Sequence, residues 1–148
     1  MNEDVFPFLQ AVRYTESDSS DLPMYTDVLW DDVNDCAALG TDGEPVLTDG
    51  NEALRGWIIR SLKTERYAED FFTRAHGSEL KRLIGKEWRM ETRMAEAKRY
   101  ISDCLLQNRY IVKVDVYFVE FCNNALNIRC SVETVYGSMD LEVEGLNV

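Results

Sequence analysis

The chain is poor in the residues that most catalytic and metal chemistry requires. It has a single histidine, His76, and three prolines among 148 residues. Its four cysteines, Cys36, Cys104, Cys122 and Cys130, contain no CxxC pair. Tetrahedral zinc sites use closely spaced ligand pairs, so no metal centre is expected. Nor does a secretory context favour disulfides, and all four thiols are expected to be reduced, small, buried apolar groups. There is no GxxxxGK[ST] or GxGxxG phosphate loop and no GxSxG elbow. No apolar run approaches the roughly 20 residues that span a bilayer, so no membrane partner is expected. The opening MNEDVFPFLQ has two acids and no base, which argues against a secretory signal.

Basic charge is also scarce, and unevenly so. The net charge is -11. Residues 1–52 hold 13 acids and one base, Arg13; residues 53–113 hold 14 bases and 8 acids; residues 114–148 hold 6 acids and one base, Arg129. An acidic chain with no basic tail is a poor phosphate-backbone binder, and no nucleic-acid partner is expected. The basic middle reads as a solvated helix face, or else as a docking surface for something acidic.

What is present is an ordinary globular composition, 45% hydrophobic and 29% charged. At this length folding buries about 68–70% of the unfolded surface, enough for one core. Residues 1–24 read as an extension and linker: an apolar cluster (Val5, Phe6, Phe8, Leu9, Val12) precedes the acidic, turn-forming run Thr15–Pro23. Residues 25–148 read as a single α+β domain. Asp27–Trp30 and Glu44–Thr48 are strand candidates, and the TDG turns at 41–43 and 48–50 bound them. Asp49 and Glu52 suggest a capped helix carrying Leu54, Trp57, Ile58, Ser61 and Leu62 on one face and ending near Lys63. Ser78 is placed to cap a short helix with Leu80, Leu83 and Ile84, stopped by Gly85. A longer helix runs from about Glu87 to Gln107, with Met90, Met94, Ala97, Ile101, Cys104 and Leu105 in step, and Asn108 as its left-handed terminator.

The period then falls from 3.6 to 2. Val112, Val114, Val116 and Phe118 share a face in Ile111–Phe121. Leu126, Ile128, Cys130, Val132 and Thr134 alternate with polar residues, and so do Met139, Leu141 and Val143. With turns at Asn123-Asn124 and Gly137-Ser138, this is a three-stranded antiparallel meander following the helices. Segregated helices and strands argue α+β. One core is expected from Leu54, Trp57, Ile58, Leu83, Met94, Ile101, Val114, Val116, Ile128 and Val132.

Glu65-Arg66, just after the first helix, reads either as an exposed charge pair or as a buried clamp, in which the planar five-donor guanidinium ties carbonyls together and Glu65 neutralises it. The stretch NEALRGWIIRSLKTERYAEDFFTRAHGSELKRLIG, then AEAKRYISDCLL, then VETVYG, resembles the small tail proteins of PBSX-type prophages. These in turn resemble the sheath-initiator, or lysozyme-like wedge, subunit of contractile-tail baseplates. Glu65 and Arg66 match the Glu-Arg part of that wider family's element, and Gly77-Ser78 its Gly-Ser; the element's Gly or Pro is absent here.

The resemblance implies a non-catalytic baseplate wedge subunit, in hexameric arrangement around the tube and assembled in the bacterial host cytoplasm, whose partners are sheath protein, a J-like wedge protein and tube or hub proteins. No cofactor is implied. It also implies that the last strand, Met139, Asp140, Leu141, Glu142, Val143 and Glu144, pairs with sheath. A terminal meander strand has a free edge, and outward acids favour a basic partner. The alternatives are a peptidoglycan hydrolase, for which no raised-pKa carboxyl is identifiable among 27 acids, and a cytoplasmic tail-assembly adaptor absent from the finished particle.

Overall fold

The computed structural model describes residues 22–64, 77–83, 87–123 and 125–147. Among the described residues, four short strands come first: β1 (Thr26–Val28), β2 (Trp30–Asp31), β3 (Cys36–Ala37) and β4 (Leu47–Asp49). Helix α1 (Gly50–Lys63), a 3-10 turn at Leu80–Leu83 and helix α2 (Met90–Leu105) come next. Strands β5 (Ile111–Cys122), β6 (Ala125–Thr134) and β7 (Gly137–Asn147) complete the chain. The α+β order expected from the change of period is the order found.

The sheet is antiparallel, in the order β5-β6-β7. One face carries both helices, α2 lying on β5 and α1 on β7. Between the layers lies one core, including Ile58 and Leu62 of α1, Ile101 and Leu105 of α2, Leu80 and Leu83, and Leu126, Ile128, Val132, Leu141, Val143 and Leu146 of the sheet. Leu54 is also fully buried. Of the ten expected core positions, Trp57 and Val114 pack only partly buried against the cluster and Met94 is half-buried. Met90, expected on the apolar face, is 54% exposed.

Strand β5 departs from the expected even-numbered face. Register shifts fall between Ile111 and Lys113 and between Val116 and Phe118, each against consecutive residues of β6. Each β-bulge inserts one residue and moves the rest of the strand by one position in the two-residue repeat. The inward set becomes Ile111, Val114, Val116, Val119 and Phe121, whereas Val112 and Phe118 face outward.

The helix ends also differ from expectation. Asp49 occupies the N-cap of α1 but makes no side-chain cap bond; Glu52 accepts instead from the Thr48 hydroxyl at 3.1 Å. Ser78 does not cap a helix. Its hydroxyl donates to the Leu62 carbonyl at 2.9 Å and its N–H to that of Thr64 at 2.8 Å, which ties it to the C-terminus of α1. Asn108 is not left-handed; its side-chain oxygen accepts from the N–H of Tyr110 at 3.0 Å, an Asx turn. Cys104 and Cys130 are buried as expected, but Cys36 and Cys122 are exposed.

The N-terminal strands form a small layer over α1. β1 pairs with β4 and β2 with β3, and β3 has no counterpart among the strand candidates of the sequence. Leu29, Ala38 and Val46 close a ring of backbone bonds of 2.7–2.9 Å. Three ion pairs bind α1 to this layer: Arg55–Asp32, Arg60–Asp27 and Lys63–Asp35. The basic face of α1 is therefore met by the chain's own acids. Tyr25 donates its N–H to the Tyr136 hydroxyl at 2.8 Å and packs tilted against Tyr110, with ring centroids 5.0 Å apart. Burial beside Asp27 pushes its phenol up to about 12.

The β5 register and the Cys130 thiol can each be checked by unfolding. Ile128→Ala should lose about 2–5 kcal/mol in urea unfolding, whereas Val112→Ala should stay within about 0.5 kcal/mol because the bulge turns Val112 outward; the reverse order would restore the unbulged register. Burial, with Asp140 and Asp115 nearby, raises the Cys130 thiol from its ordinary 9.0 to about 11. The folded state thus holds the proton more tightly than the unfolded one. That stability is complete below pH 9 and is lost as pH rises from 9 to about 11. Stability measured against pH should fall less steeply through this window in Cys130→Ala; an unchanged slope would contradict the assignment.

Candidate functional site

The sheet has two outer strands, β5 and β7, and they present different edges. The two bulges of β5 interrupt its pairing pattern, as natural edges often do to discourage another strand. β7 keeps an unbroken register against β6 from Gly137 to Val143; its one shift comes later, between Leu126 and Ile128 of β6. There Gly145 has φ +64° and donates its N–H to the Asn127 side chain at 2.9 Å. An L side chain rarely adopts that φ, so glycine suits the bulge.

Met139, Leu141 and Val143 point to the core side, and Asp140, Glu142 and Glu144 are exposed, as the alternation predicts. These six residues lie together on one strand whose outer edge has no strand partner among the described residues. The acids are not equivalent. Glu142 accepts from Arg129 at 2.8 Å, and the Arg129 guanidinium lies 5.1 Å from the Phe118 ring centroid. Phe118, Arg129 and Glu142 are in register across the three strands, forming an exposed ladder. Asp140 and Glu144 have no ion pair among the described residues.

Beside this edge runs a groove of about 410 Å³, lined by Trp30, Asp32 and Asp35 from the β2–β3 hairpin, Ile59 and Lys63 from α1, and Glu142, Val143 and Glu144 from β7. A second groove of about 480 Å³ shares Trp30, Asp35 and Lys63 with it and continues over Trp57, Arg60 and Ser61. The hairpin wall is not among the sites that sequence reasoning finds. Its acids are legible only as turn-forming charge, and nothing local places residues 30–35 beside residues 142–144. Its turn is held by Asp31, whose carboxylate accepts from the N–H of Val33 at 2.9 Å and from the Asn34 side chain at 2.7 Å. The Asn34 side chain, then the Asn34 and Val33 amides, lower its pKa.

The other expected site, Glu65-Arg66, lies outside the described residues, and so does His76. The ends of that segment are described: the Ser78 N–H meets the Thr64 carbonyl at 2.8 Å. No group of three or more His, Cys, Asp or Glu side chains suited to a metal ion occurs among the described residues. No described helix is long and apolar enough to cross a membrane. The arrangement offers a free strand edge and an acidic groove beside it, which suits recruitment of an extended chain.

The chain is 28% identical over 97 residues to the Phage-like element PBSX protein XkdS of Bacillus subtilis (strain 168), covering 65% of this chain and 69% of that protein. The profile of the contractile injection system sheath initiator family matches residues 26–137. That span runs from β1 through both helices to the β6–β7 turn, and the chain belongs to the contractile injection system sheath initiator family.

Proposed function

We propose that this chain links the baseplate of a contractile particle to the first sheath ring, and that β7 does so by accepting a sheath strand. Its family membership makes it a structural component of a contractile tail, which fits a place in the particle's baseplate. The observation that carries the finer reading is the uninterrupted free edge of Gly137–Val143 with acids on its outward side. Backbone groups along such an edge supply affinity whatever the side chains are, and charge sets register and partner choice. The hexameric arrangement around the tube, the J-like wedge and tube or hub contacts, and assembly in the host cytoplasm belong to the same proposal.

Glu65-Arg66 enters this reading as a structural clamp. Gly77 and Ser78 are buried, and Ser78 bonds the Leu62 and Thr64 carbonyls, which joins the described residues on either side of the pair.

Removing residues 139–148 is a poor test of the edge, because Leu141, Val143 and Leu146 are core residues. Edge-blocking changes are better. A proline tolerated on an edge strand removes a donor without emptying the core, so whichever of Asp140→Pro and Glu142→Pro retains the wild-type melting transition serves as the block. Asp140→Lys/Glu144→Lys serves if neither does. Electron microscopy of particles should show baseplates without sheath; normal sheathed tails from a folded, blocked variant would contradict strand addition. Arg66→Ala should destabilise the chain by about 3–5 kcal/mol if its guanidinium is a buried, paired clamp; a loss below about 1 kcal/mol in urea unfolding would make it an exposed pair.

A further inference from the structure

We infer that the β2–β3 hairpin is a second wall of the β7 docking groove, and that it selects a partner segment alternating basic and apolar residues. The inference rests on the strand-addition reading above and adds which chemistry the added strand must carry. A strand paired to β7 would lie about 4.8 Å from it, in the groove between β7 and the hairpin. Strand geometry then sorts its side chains. Residues opposite Val143 face the helix layer, where Ile59 and the half-buried Trp30 line the groove. Residues opposite Glu142 face the outer side with Glu142 and Glu144, because paired residues project to the same face. Aliphatic side chains suit the first set and lysine or arginine the second.

The hairpin strengthens the charge preference. Asp32 and Asp35 bring the groove lining to four carboxylates with Glu142 and Glu144; Arg55, Lys63 and Arg129 each bond one oxygen of Asp32, Asp35 and Glu142, and Glu144 has no ion pair among the described residues. An acidic segment would add a second anion beside these carboxylates and compete for bases already paired, whereas lysine or arginine can share them. The wall is also fixed in place. Arg55 and Lys63 hold Asp32 and Asp35 to α1, and Gly56 lets the layer approach. A Cβ at Gly56 would stand 3.2 Å from the Trp30 Cβ and 3.4 Å from the Val28 carbonyl oxygen. The Trp30 indole N–H is buried without a partner among the described residues, which makes its resonance a useful reporter of the wall.

The test uses the full chain, isotopically labelled, and two seven-residue probes, Lys-Val-Lys-Val-Lys-Val-Lys and the same peptide with Glu for Lys. The Lys peptide should slow amide exchange along Gly137–Val143 and shift the Trp30 indole N–H resonance. It should bind at least about tenfold more tightly than the Glu peptide, and Asp32→Asn/Asp35→Asn should remove about half or more of that discrimination. Both aspartates are exposed, so this variant should fold; its melting transition checks that, and an unshifted Trp30 indole resonance in the free variant checks that the hairpin keeps its place without the two ion pairs. If the Lys peptide protects β7 but leaves Trp30 unshifted and is indifferent to Asp32→Asn/Asp35→Asn, the hairpin is not a wall and strand addition survives. If it shifts Trp30 without protecting β7, or if neither peptide binds, the inference fails; the particle experiment above then decides the strand-addition reading separately.

Discussion

The structure depends on the burial of one face of β6. Leu126, Ile128, Cys130, Val132 and Thr134 are all buried, in unbroken alternation. β6 is the middle strand, so this stripe registers both neighbours. Slipping it by one residue would carry all five to the solvent face. β5 absorbs its two extra residues as bulges to keep its own apolar positions over the stripe, and β7 matches without interruption until Gly145. The helices close the other side, α2 over β5 and α1 over β7.

From this asymmetry comes the character of the two edges. β5 carries the bulges, and its extra and outward residues Val112, Tyr117 and Phe118 are exposed. β7 keeps an uninterrupted register from Gly137 to Val143, and α1 packs on it. A supported edge is pre-ordered, so pairing another chain with it costs little further conformational entropy on this side. The acidic N-terminal layer sits next to that edge because α1 offers Arg55, Arg60 and Lys63 along its exposed side. The large charge imbalance of the sequence thus resolves into an internal dock and an acidic groove. The exposed Arg55–Asp32 and Lys63–Asp35 pairs add little stability individually; their use is to place the hairpin.

Much of this is legible in the sequence where one period runs without interruption. The face of α1 around Leu54 and Ile58, the alternation of β6, and the in-and-out pattern of β7 are all visible, because each is set by local repetition. The face of β5 is not, because a bulge leaves the composition of a strand unchanged and alters only its phase. Asn108 and Ser78 have side chains suited to cap roles, but their partners are set by tertiary placement: Ser78 bonds Leu62, sixteen residues away. Residue type alone argues for burial of Cys36 and Cys122, but Cys36 opens the two-residue β3 and Cys122 closes the twelve-residue β5, and both strand ends are exposed. Of the candidate site, the strand is readable and the opposing wall is not, because Trp30 and Val143 are brought together only by the fold.

In the proposed assembly β7 continues into a neighbouring molecule. A cryo-electron microscopy map of the assembled particle, at a resolution that separates strands about 4.8 Å apart, is the decisive measurement. A fourth strand, from a sheath subunit, lying beside residues 137–143 and under the β2–β3 hairpin is the result predicted. An unpaired β7 edge, with the sheath seated on α1 and α2 instead, would contradict it.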